Sequence, residues 1–115
     1  TVGQAVNFCR AINDNPYVRI APNLFDMALE EIDPVAALRD HTDYIGYLYL
    51  ADSNGRLPGQ GLIDFEAVAQ ALLEADYDGW LCLATGHPIH SPERQYQIYD
   101  TLPESLALLA RVGLR

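Results

Sequence analysis

Residues 45–61 constrain the fold of this chain more than any other segment. Residues 45–51 have the alternation of aromatic and branched apolar side chains that is typical of a β-strand. A polar, glycine-rich loop follows, and it can continue neither a strand nor a helix. An amphipathic helix pattern then begins at Asp64. A strand, a special loop and a helix in this order form the βα unit of a parallel α/β fold, in which ligands bind where the strands end.

The remaining sequence repeats this alternation of helices and strands. Apolar periodicity and capping residues predict helices over residues 2–13, from Asp33-Pro34 to about His41, and from Asp64 onward. A last helical region is predicted from Ser91, with an interruption at Pro103 before its second half. Strands are predicted near 17–22, 44–51 and 79–84, and residues 24–32 are predicted to be irregular. Connections this short favour a parallel sheet with the helices packed on one face.

Composition narrows the class of protein. The 115 residues suit one domain, and half of them are hydrophobic. A net charge of −9 with only seven Lys and Arg disfavours binding to nucleic acid. The sequence has no signal-peptide pattern and no apolar run of membrane-spanning length, so we expect no membrane partner. Cys9 and Cys82 are expected to be buried free thiols, and a cytoplasmic location follows. Because the chain begins at Thr1 rather than Met, we expect a fragment or a trimmed chain.

The central loop also carries a family resemblance. The matching motifs are Leu50-Ala51-Asp52-Ser53-Asn54, Pro58-Gly59-Gln60-Gly61 and Ile63-Asp64-Phe65. Together they resemble the late strand and loop of the xylose-isomerase-like barrels, which include sugar and sugar-phosphate isomerases and epimerases, hydroxypyruvate isomerases and endonuclease IV. The resemblance spans most of the chain, from about residue 18 to residue 80. It implies that residues 1–115 form a single partial domain, the C-terminal part of a (β/α)8 TIM barrel with three parallel strands alternating with helices.

The resemblance implies metal-ligand positions at which this chain differs. Family enzymes move a proton beside a carbonyl, using a divalent metal such as Mn²⁺ or Mg²⁺ and a carboxylate that shuttles the proton. The family's metal-binding Asp, His and Glu align with Asn23, Tyr49 and Ala84. Strand alternation independently places these three residues together at the C-terminal ends of the strands. An amide is a poor ligand for such cations, a phenol is a rare one and a methyl group is none. We therefore expect no metal ligand, no cofactor and no catalytic residue in this chain.

Four residues are candidates for substrate binding: Arg56, Asp26, Asn23 and Tyr49. Asp26 occupies the position of the family's substrate-binding His. Arg56 resembles the family's substrate-gripping Arg, shifted by one residue relative to Pro58. It either reaches an anionic or hydroxylated ligand or is a solvated loop arginine. Positive backbone φ angles are expected at the loop glycines, which are Gly55, Gly59 and Gly61.

Other polar residues have structural alternatives. His41 is expected at a helix C-terminus, where it suits the helix dipole, and His87 and His90 are expected to be surface loop residues. Asp26, Glu30 and Glu31 form either a displaced metal site or a solvated acidic face. Ser53 and Cys82 have no partner base at a recognisable spacing, so neither is expected to be a nucleophile.

The sequence is compatible with two functions. The chain is either part of a sugar or hydroxy-acid isomerase or epimerase with a degenerate metal site, weakly active or inactive, or a non-catalytic binding or structural relative of the same barrel. Whether it is an enzyme is left open, and a Glu at the end of an upstream strand would favour retained chemistry. The expected partners are a small sugar or hydroxy acid and a second copy of the chain. Self-association would use the apolar barrel-interior face, whose residues are Ala21, Tyr47, Tyr49, Trp80 and Cys82.

Overall fold

A computed structural model describes residues 1–85 and 92–114, and of residues 92–99 it describes the backbone alone. Within these residues the chain folds into five α-helices and two β-strands. None of the described helices is long and apolar enough to cross a membrane. In chain order the elements are α1 (Val2–Ala11), α2 (Leu24–Glu30), α3 (Pro34–His41), a 3₁₀ turn (Thr42–Tyr44), β1 (Tyr47–Leu50), α4 (Phe65–Glu74), β2 (Trp80–Leu83) and α5 (Pro92–Arg111).

The two strands pair in parallel, with Tyr47 opposite Trp80 and Leu50 opposite Leu83. The first predicted strand, residues 17–22, is not a regular strand. It meets the free edge of β1 through two isolated parallel bridges, Ile20 to Ile45 and Asn23 to Tyr49. Pro22 explains the difference, since it has no N–H to donate to a ladder, although its carbonyl accepts from the Tyr49 N–H at 2.9 Å. The order and direction of the three segments are nevertheless those predicted.

Side-chain caps define where most of the helices begin. Thr1 and Gln4 form a capping box at α1, and Asp33 accepts from the Ala36 N–H at 2.9 Å at α3. Asp64 accepts from the N–H groups of the second and third residues of α4, at 3.1 and 3.0 Å. The predicted starts at Asp33 and Asp64 are thus confirmed.

Two helix predictions are wrong. Residues 24–30 form α2 rather than an irregular segment, because Asn23 caps it by accepting the Phe25 N–H at 3.0 Å. Pro103 lies on an exposed face inside α5 and does not interrupt it. A proline removes one helical hydrogen bond, whereas the half of the helix that follows Pro103 is held by packing, with Leu109 buried in the core. The start of this last region at Ser91 lies outside the described residues.

The helices cover one face of the sheet, and the hydrophobic core lies between them and the strands. Leu48 and Leu50 of β1 are fully buried there, with Val6 of α1, Leu38 of α3 and Val68 of α4 in the same cluster. Helix α3 packs against both α1 and α4.

The other face of the sheet is open. Tyr47, Tyr49 and Trp80 are 46%, 38% and 69% exposed, and the rings of Tyr47 and Trp80 stack with centroids 6.4 Å apart. Strand alternation predicted this division, with one error. Alternation from Tyr47 and Tyr49 would also place Ile45 on the open face, but Ile45 is buried in the core. It follows the 3₁₀ turn directly, so the regular pleat begins only at Tyr47.

Candidate functional site

The strand ends bring two of the predicted site residues into one row. Asn23 bridges to Tyr49, and Tyr49 pairs with Cys82 on the next strand. Ala84 lies two residues beyond Cys82, hence on the same side of the sheet, and its N–H donates to the Leu50 carbonyl at 3.2 Å. The open face therefore presents an amide, a phenol, a thiol and a methyl group near the C-terminal ends of the strands.

Asn23 has a clear structural role in this row. Its Oδ1 accepts the Phe25 N–H, and this bond caps α2 where the chain leaves the sheet. Asparagine is among the best residues for such a cap. Its amide nitrogen has no protein partner within residues 1–85 and 100–114, so it can donate to a ligand on the open face.

The residues that the resemblance aligns with the family's metal ligands are poor donors for a divalent metal. The Asn23 oxygen already caps a helix, Tyr49 offers only a phenol, and Ala84 offers no donor atom at all. In the part of the chain that the structure describes, no three His, Cys, Asp or Glu side chains are grouped so that they could hold a metal ion. These residues therefore offer no basis for a metal-assisted step at this position.

The acidic residues of α2 lie beside a small cavity. A space of about 230 Å³ separates the start of α1 from α2, and its acidic lining residues are Asp26, Glu30 and Glu31. Glu31 accepts the Val2 N–H at 2.6 Å and so ties the end of α2 to the N-terminus of α1. Asp26 is exposed in the first turn of α2, where a carboxylate also suits the helix dipole. Stabilisation of a helix N-terminus therefore explains the position of Glu31. The exposed carboxylate of Asp26 can still contact a ligand.

The loop between β1 and α4 is folded around Asp52. Its carboxylate accepts backbone N–H groups from Ser53, Gly59 and Ile63 at 2.7, 2.9 and 3.0 Å. The side chain of Asp52 is completely buried. Ser53 supports the same loop, because its Oγ accepts the Leu62 N–H at 2.9 Å. Ser53 thus has a structural partner at the loop's far end.

Two of the three glycine predictions hold. Gly55 and Gly59 have φ angles of 71° and 89°, which other residues adopt at a cost. Gly61 does not have a positive φ. Glycine is required there by space, since a Cβ would collide with Asp52 Oδ1 and lie 2.7 Å from Ser53 Oγ.

Arg56 projects from this loop. Its side chain is exposed and has no partner among residues 1–85 and 100–114, while its backbone is held at both ends. The N–H donates to Asn54 Oδ1 at 3.1 Å, and the carbonyl accepts the Asp52 N–H at 2.7 Å. The histidines lie elsewhere: His41 is in the last turn of α3, as predicted, and His87 and His90 are outside the described residues.

Sequence reasoning missed one residue that contacts this loop. Ser105 of α5 is completely buried, and its Oγ donates to the Pro58 carbonyl at 2.7 Å. The two residues are 47 positions apart, and neither residue type signals the contact.

Parallel strands that alternate with helices, with a polar loop at the C-terminal end of a strand, are the architecture of part of an α/β barrel. The sequence profile of the xylose isomerase-like TIM barrel matches residues 1–109. The chain belongs to this family, and the predicted fold class, a portion of a TIM barrel, is confirmed.

Comparison with known proteins identifies sugar epimerases as relatives. The chain is 29% identical to 3-dehydro-D-guloside 4-epimerase of Escherichia coli over 74% of its length, and 32% identical to D-psicose 3-epimerase of Enterocloster bolteae over 69%. These alignments cover 32% and 26% of the two relatives, so the chain spans about a third of their length or less.

Solved structures agree with this assignment. The crystal structure of 3-keto-D-glucoside 4-epimerase from E. coli matches 96% of this chain and 40% of its own, with a TM-score of 0.75 and 28% identity. D-psicose 3-epimerase from Clostridium cellulolyticum H10 matches all of this chain and 44% of its own, with a TM-score of 0.83. At 22% identity, this second likeness concerns the fold alone.

Proposed function

We propose that this chain supplies part of a sugar-binding site in an isomerase- or epimerase-like barrel whose metal centre is degenerate, leaving it weakly active or inactive. One observation carries the proposal. Asn23, which the resemblance aligns with a metal ligand of the family together with Tyr49 and Ala84, uses its side-chain oxygen to cap a helix. The relatives are named as epimerases of sugars, which favours a small polyhydroxy carbonyl compound or a related hydroxy acid as the ligand.

The residues that remain can bind a sugar without a metal. Asn23 and Tyr49 offer an amide N–H and a phenol in one row of the open face, and both donate to hydroxyl or carbonyl oxygens. Asp26 offers an acceptor for hydroxyl groups from the first turn of α2. Arg56 offers a planar set of donors from the neighbouring loop. This set is matched to a neutral or weakly anionic polyol.

These four residues do not supply the groups that catalyse epimerisation. Removing a proton beside a carbonyl requires a base within reach and a group that stabilises the developing oxyanion. Ala84 can be neither. Loss of the carboxylate and the metal should reduce the rate on the order of a thousandfold or more, because each removes several kcal/mol of transition-state stabilisation.

The test is a calorimetric titration of the full-length protein with Mn²⁺, paired with an epimerase assay on D-psicose. We expect no stoichiometric micromolar binding and activity near background with added Mn²⁺, Mg²⁺ or Co²⁺. The combined change Asn23→Asp, Tyr49→His and Ala84→Glu should restore metal binding. A micromolar Mn²⁺ site in the unmodified protein that Asn23→Ala abolishes would show that the metal centre is intact.

Substrate binding by Arg56 has its own test. Arg56→Ala should weaken D-psicose binding about tenfold, since a hydrogen bond from a charged donor is lost, while thermal stability stays nearly unchanged. Arg39→Ala is the matched control. Arg39 is also exposed and forms a 4.0 Å surface ion pair with Glu74, away from the loop. Equal binding by both variants would identify Arg56 as a solvated loop residue.

A non-catalytic binding or structural role is the second candidate. It is supported by the row of neutral groups Asn23, Tyr49 and Cys82, which suits binding better than proton transfer. Sugar binding without turnover would favour this role over residual catalysis. The cytosol remains the proposed location, because Cys9 and Cys82 are both free thiols. The excess of acidic residues continues to disfavour nucleic acid.

A further inference from the structure

A single buried side chain closes the loop of residues 52–63. Asp52 accepts N–H groups from the residue that follows it, from the middle of the loop and from a residue eleven positions away. Hydrogen bonds to a carboxylate are stronger than those between neutral groups, and a buried carboxylate without them would be very unfavourable. The loop conformation and the burial of Asp52 therefore depend on each other.

A second anchor reaches the same loop from α5. Ser105 donates to the Pro58 carbonyl, and the adjacent Gly59 lies against the same helix. A Cβ at Gly59 would be only 3.0 Å from Leu108 Cδ2. The Pro58-Gly59 turn is thus held between the Asp52 carboxylate on one side and α5 on the other.

The exposed residue that these anchors present is Arg56. Its backbone N–H and carbonyl are both engaged within the loop, and its side chain is left to solvent. A side chain on a preformed loop loses less conformational freedom when it binds a ligand than one on a mobile loop. The position of the Arg56 backbone consequently depends on these two buried anchors.

We propose that Asp52 and Ser105 are positioning residues, which hold the loop in one conformation and through it place Arg56 at the mouth of the sheet. The ligand part of this inference rests on the proposed function. The state of the loop can be measured without a ligand, so the two proposals fail separately.

Trypsin offers a direct probe of the loop. All seven basic residues of the chain are arginines, and the bond after Arg56 leads to Leu57, which trypsin can cleave. The full-length protein is digested under native conditions in three variants, Asp52→Asn, Ser105→Ala and the control Val68→Ala. Mass spectrometry follows the peptide that ends at Arg56. Val68 is buried in α4 and contributes to the core, so its truncation lowers global stability without removing a loop anchor. The dissociation constant for D-psicose is measured in parallel.

We expect cleavage after Arg56 to rise about tenfold or more in Asp52→Asn and Ser105→Ala, as when a hydrogen bond that closes a local structure is lost. The dissociation constant for D-psicose should also rise in these two variants. Val68→Ala should lower the melting temperature but change neither the cleavage rate nor the dissociation constant. Cleavage in both anchor variants no faster than in Val68→Ala would overturn the proposal, as would faster cleavage with unchanged affinity. If Asp52→Asn does not fold, Ser105→Ala decides alone. If the unmodified protein binds no D-psicose, the proposed function fails, and the cleavage rates alone support or overturn the anchoring.

Discussion

At the scale of single residues, the same side chain can be assigned to a binding site and be required by the fold. Asn23 is the clearest case, because the oxygen that a metal would need already accepts the Phe25 N–H in the first turn of α2. Glu31 is similar, since its carboxylate holds the start of α1. Residues that a motif comparison assigns to a site can therefore be retained for capping alone. The distinguishing property is whether a polar atom remains without a protein partner, as the Asn23 amide nitrogen does among residues 1–85 and 100–114.

Tyr77 makes a prediction at this scale. Burial is the main cause that raises the pKa of its phenol to about 12, with smaller contributions from Cys82 and Asp78, and the hydroxyl donates to the Trp80 carbonyl at 3.2 Å. Because the folded protein holds this proton more tightly than the unfolded chain, its contribution to stability is complete below about pH 10 and is lost as the pH rises toward 12.

Melting temperature measured between pH 9 and about pH 12 tests this linkage. Tyr77→Phe should flatten the alkaline decline, although it lowers stability at neutral pH by the loss of one hydrogen bond. Tyr17→Phe, at a side chain that is 95% exposed, is the control and should keep the full decline. Equal alkaline slopes in Tyr77→Phe and the unmodified protein would contradict the assignment.

At the scale of elements, the helices are specified mainly by their first residues. Asp64 alone accepts two of the unpaired N–H groups at the start of α4. Asp64→Ala should reduce the free energy of unfolding by about 1 kcal/mol, measured by urea denaturation. Asp64→Ser, which keeps a capping oxygen, should lose much less. A comparable loss in both variants would mean that packing, rather than the cap, fixes the start of α4.

Helix α5 gives the opposite case, an element that forms despite its sequence. Pro103 interrupts the hydrogen-bond pattern of a helix whose far half is buried through Ser105 and Leu109. Pro103→Ala should raise the free energy of unfolding by up to about 3 kcal/mol, since the missing N–H is restored on an exposed face. Thermal unfolding checks this, with Glu104→Ala as the control at the neighbouring exposed position. A lower melting temperature in Pro103→Ala would show that the helix is shaped to accommodate the proline.

At the scale of the whole molecule, the residues that the structure describes leave one face of the sheet exposed. Tyr47, Tyr49 and Trp80 are aromatic and exposed on one side, while the helices bury the other. In a complete barrel this side would face the interior. Residues 1–115 produced alone should therefore self-associate through this face, because contiguous apolar surface of this kind rarely stays in water.

Sedimentation velocity tests the association. The pair Tyr47→Ser and Trp80→Ser should shift residues 1–115 toward monomer. The pair Tyr17→Ser and Leu62→Ser, also strongly exposed but off this face, should not. A monodisperse monomer of the unmodified segment would contradict the prediction. So would an emission spectrum of its one tryptophan, Trp80, that is typical of a fully buried indole.

The sequence by itself determined the features that depend on near neighbours. The caps at Asp33 and Asp64 and the alternation of Tyr47 and Tyr49 follow from side chains a few positions apart. The parallel order of the strands follows from the short connections between successive elements. The motif around residues 50–65 also fixed the family, because its glycines and Asp52 specify one loop. Local rules failed at Ile45, where the preceding 3₁₀ turn delays the regular pleat, and at Pro103, where packing of the second half of α5 outweighs the low helix propensity of proline.

Tertiary structure alone decided which polar residues hold the site in place. Glu31 meets Val2 across 29 positions, and Ser105 meets Pro58 across 47. No spacing rule connects such pairs, because their separation depends on how the helices pack and not on the period of either element. Asp52 depends on both the local sequence motif and the tertiary structure. Its place in the motif was readable, but its burial among three N–H groups required the loop to fold back on β1.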